Sequence, residues 1–425
     1  MLVDFWRLPQ VAALAATWVN DVRDGRSLLL LAPRYQGTAA VSTELRHLLS
    51  DAGFYVRGAD VSSWPEAGDL LQLLQRELGC ESAPGGTAEG LDWLDRCSDT
   101  PDVLVITGLE RGEGDLRRRW LGGLDRWALM SKEAADSERT LPPLVVVAPV
   151  AWAAGGLPKN QTHLVTRGLW GRPTALDVQM LCRLTQDERA MSVAQRWREH
   201  VLPSLVGDDL GLISALWDEV LNGMSSLLSA LNRYAEDMEW DETVLVQAQE
   251  QVAMQAAASA ADGGQLAPSR LATLWAAGML ASTPEYGVEM HAAAALLAGN
   301  EEAVRHRVWR GQVSLLLPFL DALRVTVCEA LTLRHGSDWP LHLSPPKVLE
   351  EELALRESPL SCEYGRLDYL LRNDFVLKAQ RERYLGLVAE ARRMRNMLAH
   401  YQPVRFAEYE WLSREARRVG ATHAL

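Results

Sequence analysis

Three short apolar runs constrain this chain most: Ser27–Ala32 (SLLLLA), Val103–Thr107 (VLVIT) and Leu144–Ala148 (LVVVA). None alternates polar with apolar, so each reads as a strand buried on both faces, the condition of a parallel sheet flanked by helices. Helical patterns separate them. TAAVSTELRHLLSDAG follows the first run and stops at Gly53, and Gly114–Lys132 lies between the second and third. Phe54–Arg57 and His163–Thr166 read as further strands. Strands alternating with helices predict an open α/β sheet covered on both faces.

From about Asp177 the periodicity turns helical. Leu210–Arg233 and Asp241–Ala261 are long amphipathic patterns, the second closed by Asp262-Gly263-Gly264, a loop signal. Pro268–Gly299 reads as a helix, a hairpin around Glu285–Gly287 and another helix, the order of a small winged-helix module. Leu315–Leu333 is a strong helix ending at Arg334, His335 and Gly336, where a C-terminus favours cations and a glycine. A Pro-containing loop, Trp339–Lys347, leads to the last helices. The expected architecture is therefore multidomain, an α/β part followed by all-α parts. Its segments are 1–176 (α/β), 177–264 (helical), 265–300 (winged-helix-like) and 301–425 (helical bundle).

With 425 residues, 43 Lys and Arg against 56 Asp and Glu give a formal charge of −13. That sign is wrong for a protein that coats duplexes or a polybasic membrane binder, so any nucleic-acid contact must be local. The five cysteines (Cys80, Cys97, Cys182, Cys328, Cys362) are scattered, without zinc or disulfide spacing. The start, MLVDFWRLPQ, lacks a basic region leading into an apolar run, and no apolar stretch reaches about 18–20 residues. A cytoplasmic protein with no membrane span is expected.

The turn after the first strand, Ala32–Ala39 (APRYQGTA), stands where a phosphate loop would sit. A working loop reads G-x-x-x-x-G-K-S/T, its lysine reaching the terminal phosphates and its hydroxyl holding magnesium. Aligned on Gly37, this chain has Ala32 for the first glycine, Thr38 for the lysine and Ala39 for the hydroxyl residue. Thr107 replaces the acidic metal ligand at the end of the third strand, with Glu110 nearby. The layout of residues 20 to 300 resembles signal-transducing P-loop ATPases of the STAND/AAA+ group with the hydrolytic residues missing. The resemblance implies a regulatory domain that does not hydrolyse nucleotide, and no metal or cofactor is expected. Backbone N–H groups at the helix start leave nucleotide binding open. An unrelated α/β domain whose turn is only a turn is the alternative.

Near the other end, Arg392–His400 reads RRMRNMLAH, followed by Tyr401, Gln402 and Pro403. Metal-free RNA cleavage needs a base for the 2′-hydroxyl proton, an acid for the leaving 5′-oxygen and a cation on the phosphate. Histidine is the side chain that exchanges protons near neutral pH, and arginine offers a planar fork to phosphate. On a continuous helix Tyr384–His400, the residues Arg392, Asn396 and His400 share one stripe. Leu385, Val388, Ala391, Met394 and Leu398 form an apolar one. Residues 371–425 carry 11 Lys and Arg against 6 Asp and Glu, a net of +5 on a protein otherwise at −18.

Arg395, Asn396 and His400 match the R-x4–6-H motif of HEPN-domain ribonucleases, and residues 302 to 425 resemble that family's helical bundle. The resemblance implies His400 as acid/base, Arg395 on the phosphate and Asn396 orienting, with Arg392, Arg393 and Tyr401 contacting RNA. It also implies a homodimer through this domain, with an RNA substrate, tRNA among the candidates. Some members carry a tyrosine two residues after the histidine, where Gln402 stands here. His335 and His342, flanking the first loop, are expected near the site, and Glu329 rather than Asp321 as its polar neighbour. His47, His163, His291 and His306 read as structural or solvated.

The function expected is a metal-independent endoribonuclease of a bacterial antiphage, conflict or stress system. A ligand or companion protein at the N-terminal half would control it. The alternative is a non-catalytic scaffold that uses its HEPN-like bundle for dimerisation. A DNA-binding reading of the winged-helix segment is disfavoured, because Arg270 is its only basic residue against Glu285 and Glu289.

Overall fold

A computed structural model describes residues 6, 8–32, 38–62, 70–78, 100–109, 115–150, 152, 157–158, 161–169, 173–184, 192–240, 245, 274, 277–283, 285–343, 346 and 348–421. In chain order the first elements are α1 (Pro9–Arg23), β1 (Ser27–Ala32), α2 (Thr38–Asp51), β2 (Val56–Asp60) and α3 (Leu70–Glu77). Then come β3 (Val103–Thr107), α4 (Asp115–Asp136), β4 (Leu144–Pro149) and β5 (Leu164–Gly168). Helices α5 (Ala175–Leu184), α6 (Val193–Val206), α7 (Leu212–Leu216), α8 (Glu219–Asn222) and α9 (Met224–Asp237) follow. A hairpin, β6 (Leu280–Thr283) and β7 (Gly287–Met290), leads to α10 (Ala292–Leu297). The chain continues through α11 (Glu301–His335), α12 (Leu349–Glu357), α13 (Tyr364–Asn373), α14 (Lys378–Ala399) and α15 (Phe406–Arg418).

Residues group into two compact units. The first comprises Met1–Asp177, Val206–Gly211 and Met238–Ala298; the second comprises Val178–Leu205, Leu212–Asp237 and Gly299–Leu425. The expected segment 177–264 is thus divided, most of its described helices packing with the C-terminal residues. The reason is long-range. Buried Trp197 on α6 lies between the rings of Phe406 and Tyr409 on α15, with centroids at 5.6 Å from each.

In the first unit five parallel strands run in the order β2-β3-β4-β1-β5. The apolar runs are the central strands: Leu28–Leu31 are fully buried, and Leu28 pairs with Val145 and Val165 on either side. Each such leucine contributes about 1.5–3 kcal/mol by leaving water. Strand β2 starts at Val56 rather than Phe54 because Tyr55 is held by Asp102, whose carboxylate accepts the Tyr55 N–H at 2.7 Å. At the side of the sheet, the Asp21 carboxylate, 4% exposed, receives Arg167 at 2.9 Å and Arg26 at 3.2 Å.

The expected hairpin is present, with Leu280 opposite Met290. Its leading helix lies outside the described residues apart from Leu274 and Ala277, as do the Asp241–Ala261 pattern (Leu245 apart) and the 262–264 loop. His291 caps α10, its Nδ1 accepting the Ala293 N–H, while its Nε2 sits 3.2 Å from the buried Asp209 carboxylate.

In the second unit α11 is longer than its apolar core suggests, 35 residues or about 52 Å. Asn300 caps it, accepting the Ala303 N–H through its side chain. The amphipathic pattern expected over Leu210–Arg233 forms three helices, α7 to α9, and Gly223, at φ +99°, turns the chain between α8 and α9. Among the described residues no helix is long and apolar enough to cross a membrane.

Candidate functional site

Helix α14 is anchored by Tyr384, Leu387, Val388, Ala391, Met394 and Leu398, all buried. Leu385, expected in that stripe, is only half-buried, and Tyr384 and Leu387 take its share. The anchoring leaves Arg392, Arg395 and Asn396 exposed on the open side, with His400 exposed at the end.

The helix stops at Ala399, one residue before the continuous helix expected through His400. His400 is its cap, donating its backbone N–H to the Asn396 and Met397 carbonyls at 3.2 and 3.0 Å. Tyr401 follows at φ +59°, its N–H reaching Leu398 O at 3.2 Å while the Gln402 N–H reaches Met397 O at 2.9 Å. This closure normally carries glycine at the left-handed position, and a side chain there costs about 1–2 kcal/mol. What turns the chain is Gln312 on α11, 1% exposed. Its amide bonds both the Val404 carbonyl (2.8 Å) and the Val404 N–H (2.7 Å) just after Pro403.

Arg395 and Asn396 stand 100° apart around the axis, and Arg395 and His400 about 140° apart. One helix therefore displays the arginine and the histidine as flanking rather than converging groups. Arg395 lies 3.5 Å from Glu363, both about half exposed (50% and 57%). A pair so wetted is worth about 0–1 kcal/mol, and an incoming anion can replace it. Arg392 and Arg393, expected on RNA, are more firmly engaged. Arg392 reaches Asp368 at 2.9 Å, beside Arg372 on the same buried carboxylate. Arg393 grips Glu390 at 2.6 Å and Glu408 at 2.9 Å, and its bond to Glu390 raises its pKa.

Three aromatic rings gather beside the cap. Trp309 on α11 donates its indole N–H to the Leu398 carbonyl at 2.7 Å. The Tyr401 ring lies 4.6 Å from Trp309, and His306 lies 5.1 Å from Trp309 and 6.2 Å from Tyr401, nearly parallel to the latter at 23°. Sequence reasoning passed over Trp309 and read His306 as structural or solvated. Their i, i+3 spacing on α11 was the available signal.

His335 and His342 do not join the site. Trp309 and His335 are 26 residues apart on one helix, about 39 Å along its axis. His342 instead pairs with Asp374 at 3.3 Å, and burial, aided by Arg334, lowers the pKa of His335. Asp321, the other carboxylate weighed for the site, lies on α11. It holds Arg324 at 2.8 Å, and Arg324 also bonds the Leu360 and Cys362 carbonyls next to Glu363. Glu329 stands two turns further on.

In the first unit, crossover handedness locates the other candidate. Right-handed connections leaving β1 run towards β2, while those leaving β2, β3 and β4 run the opposite way, so they cover opposite faces. The reversal falls at the C-terminal end of β1, the topological switch point where open α/β sheets bind ligands. Thr38 opens α2 there, buried. Gly37 and Glu110 lie outside the described residues. Thr107 ends β3 with its hydroxyl donating to Ala59 O at 3.3 Å. The neighbouring Asp60 carboxylate accepts the Ser62 N–H at 2.9 Å, which lowers its pKa. Gly108 is required beside it, because a Cβ would collide with the Asp60 carboxylate and the Ser62 backbone. Among the described residues no cluster of three or more His, Cys, Asp or Glu is placed to hold a metal ion.

No family model matches the chain, and no curated protein does. Among solved structures it is similar to the ORC2 protein of Aeropyrum pernix in ADPNP–ADP complexes, at 12% identity over 70% of this chain and 92% of that one, with a TM-score of 0.32. The strand order and burial pattern, not this distant likeness, define the fold: a parallel five-stranded α/β sheet followed by a mostly helical region.

Proposed function

We propose that the second unit is a metal-independent endoribonuclease of the HEPN type, governed by a P-loop-like first unit that does not hydrolyse nucleotide. One observation carries the reading: of the three arginines in Arg392–Arg395, only Arg395 is held by a wet, replaceable pair, and Asn396 and His400 stand exposed on the turns beside it. In the reaction His400 takes the 2′-hydroxyl proton, the 2′-oxygen attacks the phosphorus, and the P–O5′ bond breaks as the 5′-oxygen takes a proton from a protonated His400, giving a 2′,3′-cyclic phosphate. Arg395 neutralises the phosphate and Asn396 orients it. Because Arg395 and His400 flank the helix, a second copy facing the first supplies the converging group, which makes the active form a homodimer. At the first unit, Thr38 and Thr107 stand where lysine and a metal-holding carboxylate would be needed. The switch point then serves as a sensor for a ligand or companion protein, in keeping with a cytoplasmic antiphage, conflict or stress role.

The test is cleavage of total RNA and tRNA by the full chain in EDTA, beside Arg395→Ala and His400→Ala. The expected loss is about 10²–10⁴-fold for each, with cyclic-phosphate ends in the parent. Cleavage surviving both substitutions sinks the assignment. The engagement of Arg392 and Arg393 in ion pairs favours a second reading, a scaffold that uses this bundle for assembly. It is supported if cellular effects ignore His400→Ala.

A further inference from the structure

The ring cluster at the end of α14 has features that packing alone leaves unexplained. Tyr401 occupies the left-handed position that helix closures give to glycine, yet its side chain is 61% exposed. Burial is therefore not what holds a tyrosine there. Its ring lies against Trp309, whose orientation is fixed by the indole bond to Leu398 O. His306, exposed one turn earlier on α11, extends the surface with a nearly parallel ring. The cluster is thus preorganised, open to solvent, and one residue from His400.

We infer that Tyr401, Trp309 and His306 form a stacking platform for an unpaired base of single-stranded RNA. The inference rests on the ribonuclease reading for its choice of ligand. Aromatic faces bind bases irrespective of identity, because every base has a π-face. Only a base free of its helix can reach them. The platform therefore selects loops and single strands over duplex, and it seats the nucleotide next to the phosphate that His400 and Arg395 address. The net +5 of residues 371–425 draws the phosphate backbone to this end of a chain otherwise at −18, and stacking adds the preference for unpaired bases.

The probe is a short unstructured RNA, 2′-O-methylated so that it cannot be cleaved, measured by fluorescence anisotropy free and annealed to its complement. The full chain should prefer the single strand. Tyr401→Gly should weaken single-strand binding roughly fivefold to a hundredfold and leave duplex binding unchanged, while Tyr401→Phe keeps the parent affinity. Tyr401→Gly should also melt no lower than the parent, since glycine suits the left-handed turn; a merely structural tyrosine would give the reverse pattern. His306→Ala, at an exposed position that folding does not need, should weaken single-strand binding severalfold. Parent affinity in both Tyr401→Gly and His306→Ala overturns the platform and leaves the nuclease reading standing. No binding of either RNA by the parent, together with no cleavage, overturns both.

Discussion

Gly311→Ala should destabilise the second unit, and the structure indicates by how much. A Cβ at Gly311 would lie 2.6 Å from the His200 carbonyl oxygen, 2.8 Å from Val201 Cα and 2.9 Å from Ser204 Oγ. The first two are backbone atoms of α6, so relief requires moving that helix away from α11 by close to 1 Å. Such a shift strains the bonds between them: Ser204 Oγ to Arg307 O at 2.7 Å, and His200 Nδ1 to Ser314 Oγ at 3.0 Å. Overpacking costs about 1–3 kcal/mol, and each weakened hydrogen bond adds about 0.5–1.5 kcal/mol. Alanine recovers about 1 kcal/mol of helix propensity. The net is a loss of about 1–5 kcal/mol, or a melting temperature at least several degrees lower. Gly386→Ala is the control, mid-helix in α14 with nothing within 4 Å of the added carbon; it should stabilise by roughly 0.5–1 kcal/mol. Urea unfolding gives the change in midpoint, and hydrogen exchange assigns it to α6 and α11 peptides. If Gly311→Ala proves as stable as Gly386→Ala, the close approach of α6 and α11 is refuted.

The acid limb of stability should depend on Glu408. Burial pushes its carboxyl up, but the bonds from the Arg405 side chain and backbone and the charge of Arg393 outweigh it, so it titrates below the ordinary value near 4.5. A depressed carboxyl contributes stability above its unfolded value and loses it as pH falls through the folded one; Glu408→Gln should flatten that loss in acid unfolding curves, and an unchanged slope would contradict the assignment. Cys182 should resist alkylation in the native protein at mildly alkaline pH. Burial, with Glu199 adding and Arg198 opposing, pushes its thiol up to about 12. Peptide mapping should find Cys182, Cys328 and Cys362 unmodified until urea is added, and rapid native labelling of Cys182 would place it at the surface.

Local patterning was enough for the elements that sit in the core. SLLLLA matches β1 residue for residue, because a strand buried on both faces needs an unbroken apolar run wherever its neighbours come from. The exposure of Arg392, Asn396 and His400 also followed from periodicity, since the apolar residues of α14 dictate which side faces water. What surrounds those side chains did not. Glu363, Asp368 and Glu408 engage the arginines from other elements, and Trp309 comes from a helix 89 residues away in the chain. His335 was drawn to the site by its motif-like loop and is carried off by the length of α11. The grouping of Val178–Leu205 with the C-terminal helices rests on contacts such as the Trp197 indole against Phe406 and Tyr409 and the bonds of His200 and Ser204 to α11. The sequence by itself determined the α/β alternation, the central strands and the open face of α14, because each depends on a residue's own contact with water. Tertiary structure alone decided the strand order, the division into units, the ion pairs of the arginines and the ring cluster beside His400, because those depend on partners distant in the chain that no local period encodes.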